Sequence, residues 1–282
     1  MTNITAQMKA KADAFYALHQ GPGAFIIPNP WDRGSARILA HLSFKALATT
    51  SMGYAFSIGQ RDNSLTREQT LANAADIAAA TELPVNADLE NGFGDAPERA
   101  AETIRLTAAT GIVGGSIEDA SGRDEDPIYE LGLAKARIEA AAVAAHALPY
   151  KFTLTARAEN YLWGRPDLGD TIRRLQAYQE AGADVLYAPG LKTAEDIAAV
   201  VSSIDRPLNV VMGLVGAQLG LEELSKLGVK RISVGSSLQR AALGEFVRAA
   251  REMQTQGTFT YAAHAAAPKE MTAIFDSFGG VA

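Results

Sequence analysis

The chain has 282 residues, 48% of them hydrophobic, which is enough for one large core; an α/β barrel commonly needs about 250. Its formal net charge of -6 argues against a nucleic-acid or anionic-membrane partner, since both call for a basic surface. Cysteine is absent, which excludes disulfides, zinc–thiolate sites and a cysteine nucleophile.

No apolar run approaches the roughly 18 residues of a membrane span, and the opening residues lack a signal-peptide core, so the expectation is a cytoplasmic protein. A helix is expected over residues 1–20, where Met8, Ala12, Phe15 and Tyr16 recur at helical spacing. Eight short apolar runs follow, at 25–27, 46–48, 84–88, 113–117, 152–156, 184–187, 208–211 and 231–234. Each pair is separated by a segment long enough for a helix. Thr66 ahead of Glu68 and Gln69 marks one helix start, and Gly111, Gly182 and Gly228 sit just past helix ends. Apolar strands alternating with helices imply a parallel sheet covered on its outer face. Eight such units predict a single (β/α)8 TIM barrel spanning 1–282, with a doubly wound open sheet as the alternative. Residues from about 257 to 282 lie beyond the eight repeats; they predict a helical tail that packs on the barrel or on a neighbouring subunit.

In a barrel of this kind the chemistry lies where the strands end. Residues two apart share a strand face, so Asp88 and Glu90 are in phase after the third strand, Ser116 and Glu118 in the fourth, and Thr155 and Arg157 in the fifth. Three acids thus crowd one mouth against one arginine. They would repel one another, and a divalent cation removes the conflict. All-oxygen donors select a hard ion, Mg²⁺ or alternatively Mn²⁺. The plainer alternative is that these acids form salt bridges or cap helices. The loop Thr50-Ser51-Met52-Gly53 suits a carboxylate or phosphate held by backbone N–H groups. None of the four histidines ends a strand, so a histidine base is not expected.

The stretches Asn86-Ala-Asp-Leu-Glu-Asn-Gly-Phe-Gly94, Ser116-Ile-Glu-Asp119 and Thr155-Ala-Arg157 resemble the isocitrate lyase / phosphoenolpyruvate mutase superfamily. Further support comes from residues 28–37, Thr50-Ser-Met-Gly53 and Val234-Gly-Ser-Ser237, in the family's order. The resemblance implies a Mg²⁺-dependent barrel that makes or breaks a C–C or C–P bond beside the carbonyl of a 2-oxo acid. It implies Asp88 as direct metal ligand, with Glu90 and Glu118 holding metal-bound waters. It implies Arg157 as the substrate's counter-charge, Ser51, Met52 and Gly53 as the carboxylate loop, and Asp62 near the reacting centre. Asn209, on the seventh strand, is expected to contact substrate together with Asp88 and Arg157. The family also implies a homotetramer with exchanged C-terminal helices.

Two departures stand out. The lyases' Lys-Lys-Cys-Gly-His lid is replaced here by Ala120-Ser121-Gly122-Arg123, and Val211 stands where the lyases tend to have Asn. Asp62, Tyr54, Tyr187, Arg123 and a metal-bound water remain candidates for the acid or base. The expected activity is C–C cleavage in a small 2-oxo acid, for example a dicarboxylate such as oxaloacetate, by a lyase, decarboxylase or hydrolase route. The alternatives are a C–P enzyme, either a phosphonopyruvate hydrolase or a phosphoenolpyruvate mutase, and a barrel that binds a 2-oxo acid without turning it over.

Overall fold

A computed structural model describes residues 6–279. The ends of the expected N-terminal helix and of the tail, residues 1–5 and 280–282, lie outside the described residues.

The chain opens with α1 (Ala6–Gln20), then runs β1 (Phe25–Ile27), α2 (Arg33–His41), β2 (Leu47–Ala48), α3 (Ser51–Ser57), α4 (Arg67–Ala80), β3 (Val85–Asp88), α5 (Pro97–Ala108) and β4 (Gly114–Glu118). It continues through α6 (Leu131–His146), β5 (Thr153–Arg157), α7 (Leu168–Glu180), β6 (Val185–Tyr187), α8 (Ala194–Ser202), β7 (Leu208–Val211), α9 (Leu221–Lys226) and β8 (Arg231–Ser233). A long α10 (Ser237–Gln256), a 3₁₀ turn and α11 (Pro268–Asp276) complete it.

All eight strands are parallel, in the order β1-β8-β7-β6-β5-β4-β3-β2. That sequential order, with first and last strands paired, is a TIM barrel and excludes the doubly wound sheet. The seam between β1 and β2 carries no ladder. It is stitched instead by the Ala48 N–H donating to the Pro28 carbonyl at 3.1 Å. Asn29 reinforces it: its amide donates to the Thr49 carbonyl, and its Oδ1 accepts from the Val234 and Gly235 N–H groups.

Local chemistry explains the elements. Asp32 and Ser35 form a reciprocal capping box at the start of α2, and Thr66 and Gln69 do the same for α4. Gly111, Gly182 and Gly228 all have positive φ, which lets each helix turn sharply into the next strand. Outward strand positions such as Ile117, Leu154, Leu186 and Val210 are buried under the helices. Phe15 of α1 plugs the bottom of the barrel; a Cβ at Gly114 would come within 2.9 Å of its ring. The tail packs on the barrel, α11 lying against α2 with Ile274 buried.

The barrel's interior differs from the branched aliphatic layers usual in this fold. Asn86, Ser116, Thr155, Asn209, Arg231 and Ser233 are all buried. Arg231 is the centre of this polar layer, donating from Nε to Asn209 Oδ1 and from Nη2 to Thr155 Oγ1, both at 2.9 Å.

Candidate active site

β3, β4 and β5 end side by side, and their last residues are Asp88, Glu118 and Arg157. Their neighbours in register put all three at the same end of the barrel. Arg157 is the hub. Its Nη1 lies 2.9 Å from Asp88 Oδ1 and 3.1 Å from Glu118 Oε2, and its Nη2 lies 2.7 Å from Glu159 Oε1. Its guanidinium also stands over the Tyr187 ring, 5.1 Å from the centroid. Burial would lower the pKa of Arg157, but Glu159, Glu118 and Asp88 raise it well above the usual value, so it stays charged.

One guanidinium does not neutralise this many acids. Burial first, then Asp88 and Asp62, push Glu90 up to about 8. Burial likewise raises Glu118 well above the ordinary carboxyl range, against the pull of Arg157. Asp62 is raised too, by burial and then by the Asp88 carboxylate. Asp88 itself is held in place by Ser51, whose N–H and hydroxyl both donate to Oδ2, at 3.1 and 2.9 Å.

The expected residues therefore sort as follows. Asp62, Asp88, Glu118, Arg157, Ser51 and Met52 line one cavity of about 430 Å³ at the barrel mouth. Glu90 adopts a left-handed backbone, φ 47°, just past β3, and its buried Oε1 has no hydrogen-bond partner. Gly53 does not face the cavity. Its N–H is taken by the Thr50 hydroxyl, and a Cβ there would lie 2.5 Å from Thr50 Cγ2. It forms the close-packed first turn of α3. Asn209 lines a smaller chamber of about 80 Å³ that shares Asp88, Arg157 and Tyr187 with the mouth, and its side-chain amide bonds Arg231 and Ser233. Arg123 pairs with Asp95 on the outer rim.

Sequence reasoning missed Glu159, although it is in phase with Arg157 two residues on and was readable by the same alternation. It also missed Leu162, Trp163, Pro189, Leu214 and Arg240, which loops after β5, β6 and β7 and the start of α10 bring to the mouth. No local spacing announces those.

Among the described residues no three His, Cys, Asp or Glu side chains form a ready-made metal cage. The donor set still fits a hard ion. Asp88 is a carboxylate on the mouth, and Glu90 presents a buried oxygen with nothing bound to it. An ion such as Mg²⁺ keeps several waters and needs few direct protein ligands.

Residues 15–254 match the model of the phosphoenolpyruvate phosphomutase family. The chain belongs to that family. Family membership agrees with its relatives. An uncharacterised protein of Mycobacterium tuberculosis is 33% identical over 243 residues, 84% of this chain and 88% of the relative. The oxaloacetate decarboxylase of Ectopseudomonas mendocina is 27% identical over 237 residues, 82% of this chain and 80% of the relative. A crystal structure from Burkholderia cenocepacia, provisionally named a lyase/mutase, is 60% identical with a TM-score of 0.94, covering 96% of this chain and 97% of its own. Other matches to the chain are named 2-methylisocitrate lyase, in Bacillus subtilis, and phosphonopyruvate hydrolase. The hydrolase, crystallised with oxalate and Mg²⁺, shares the fold at 24% identity and a TM-score of 0.83, over 95% of each chain. The chain thus sits within the isocitrate lyase / phosphoenolpyruvate mutase superfamily, with lyases and phosphomutases as its relatives.

Proposed function

We propose that this protein cleaves a C–C bond next to the carbonyl of a small 2-oxo acid, with Mg²⁺ as its cofactor and Mn²⁺ as a substitute. The observation that carries the reading is the charge imbalance at the mouth, where Asp88, Glu118 and Glu159 share the single Arg157 guanidinium. Asp88 would hold the ion directly, and Glu90 and Glu118 through its waters. When bound, the ion supplies a Lewis acid for the carbonyl oxygen.

The chain's own residues do the rest. Ser51 fixes the Asp88 carboxylate. Arg157, rigidly held on Glu159, faces the negative charge that builds on the enolate oxygen when the bond breaks. Asp62 lines the same cavity, and its raised pKa suits a group that returns a proton to the new enolate carbon. Without cysteine, this acid replaces the lid residue of the isocitrate lyases. A C–P reaction would require cations around a phosphonate, and the lining offers only Arg157, already shared, and Arg240.

We further propose a homotetramer with exchanged C-terminal helices. In α10 only Gln239 is buried, while Phe246 is 68% exposed alongside Leu243, Val247 and Met253. Sedimentation equilibrium should return a tetramer; a monomer at micromolar concentration rules the assembly out.

The test of function is a panel of 2-oxo acids incubated with Mg²⁺ and followed for pyruvate and CO₂. Turnover should vanish with EDTA and fall by about 100- to 1000-fold or more in Asp88→Asn. Full activity in that variant, or turnover indifferent to chelation, overturns the assignment. Saturable binding with no product would instead make the barrel a binding protein.

A further inference from the structure

Glu118 is followed by Asp119, a buried acid whose side chain turns from the mouth toward α7. Its main-chain N–H donates to the Arg157 carbonyl at 3.2 Å, and its Oδ1 accepts from the Glu159 N–H at 2.8 Å. One residue thus grips the end of β5 on both sides of Ala158, where the backbone carries the arginine and its carboxylate partner. The other oxygen of Asp119 is held by α7. The Tyr178 hydroxyl donates to Oδ2 at 2.5 Å and Arg174 Nη1 at 3.2 Å. These two residues are four apart, on one face of the helix. Arg174 is itself fixed, with Nε donating to Asp170 Oδ2 at 2.7 Å and Nη1 to the Tyr129 carbonyl at 2.9 Å. Tyr178 is fully buried. A buried carboxylate with every partner in place has one arrangement, and it imposes that arrangement on the backbone it holds.

We propose that Tyr178 and Arg174 are positioning residues for the reaction, acting through Asp119 on the backbone of Arg157 and Glu159. The inference rests on the 2-oxo acid reading above and adds to it the residues that hold the guanidinium in place. Arg157 stabilises the enolate only from the right position, and a displacement of about 1 Å can cost about 100-fold in rate. Glu159 grips the guanidinium itself; Asp119 sets where the main chain of both residues stands.

The test is steady-state kinetics of the full chain with Mg²⁺ and the 2-oxo acid it turns over fastest. Tyr178→Phe removes one hydroxyl and keeps the ring. It should lower kcat by about 10-fold and leave KM within about twofold, since the guanidinium meets its charge as the bond breaks. Arg174→Met breaks the same chain of bonds and should act likewise. Tyr150→Phe is the control. Its hydroxyl is also buried, ahead of β5 at the opposite end of the barrel, and donates to the Ile112 carbonyl at 3.3 Å, so kcat should be unchanged. In an Arg157→Lys background, Tyr178→Phe should cost no more than about twofold, because the fork it positions is gone.

An undiminished kcat in Tyr178→Phe, or a loss in KM alone, would overturn the inference and leave the 2-oxo acid reading intact. So would an equal loss in Tyr150→Phe, or a full 10-fold loss retained in the Arg157→Lys background. A wild-type chain that turns over no 2-oxo acid would remove the functional reading, and this one with it.

Discussion

Arg157 shows how much one side chain can decide. Buried and triply paired, it keeps its charge because Asp88, Glu118 and Glu159 surround it. A lysine at this position keeps the charge but loses the planar fork that reaches three carboxylates at once. Arg157→Lys should lower kcat/KM by about 100-fold or more, while the far-ultraviolet circular dichroism stays that of the wild type. A variant with near-normal kcat/KM would remove Arg157 from the chemistry. Asp88, Glu118 and Arg157 were legible because strand alternation is a strict geometric rule. Glu159 obeyed the same rule and was overlooked because it follows the last residue of β5. Gly53 and Asn209 have partners that strand alternation does not announce: the Thr50 hydroxyl accepts from the Gly53 N–H, and Arg231 donates to Asn209 Oδ1.

At the scale of elements, the segment after β3 is held by a helix remote from it in sequence. Glu90 and Phe93 both have left-handed backbones, φ 47° and 62°, which cost free energy in non-glycine residues. Arg137 of α6 offsets that cost by donating to the carbonyls of Asn91, Gly94 and Asp95, with its guanidinium 4.4 Å from the centre of the Tyr129 ring. Arg137→Met would leave three carbonyls without their donor and should cost about 2–4 kcal/mol in urea unfolding. It should also weaken Mg²⁺ binding, because Glu90 sits on the segment being held. A stability loss below about 1 kcal/mol would show the clamp to be dispensable. Gly92→Ala is a second check, since its φ is +78° and a Cβ would meet the Ala100 Cα at 3.1 Å. The strands and caps were readable one segment at a time, to within a residue. Arg137 was not, because its role depends on which helix faces which loop.

For the whole molecule, the eight-unit alternation predicts the barrel and strand phase points Ser116 and Thr155 inward, but no spacing announces Arg231 at the centre of the polar layer. His19 belongs to that layer. Burial and the nearby Arg231 push its pKa down to about 3, and its Nδ1 donates to the Phe15 carbonyl. The unfolded chain binds this proton near pH 6.5, so between about 6.5 and 3 the unfolded state carries one proton more. Stability therefore falls as the pH falls through that window, by up to about 1.4 kcal/mol per pH unit. Urea midpoints at pH 7 and pH 5 should diverge less in His19→Gln than in the wild type; equal divergence would place the acid sensitivity elsewhere.

The pairing of β1 with β8 has a consequence for synthesis. Phe25 finds its register partner only when Arg231 has been made, so everything between β1 and β8 must leave the ribosome before the cylinder can close. Until then β1 and β7 are both open edges, available to strands of other nascent chains. A product truncated just before residue 231 should precipitate on translation, whereas a chain that includes β8 should stay in solution.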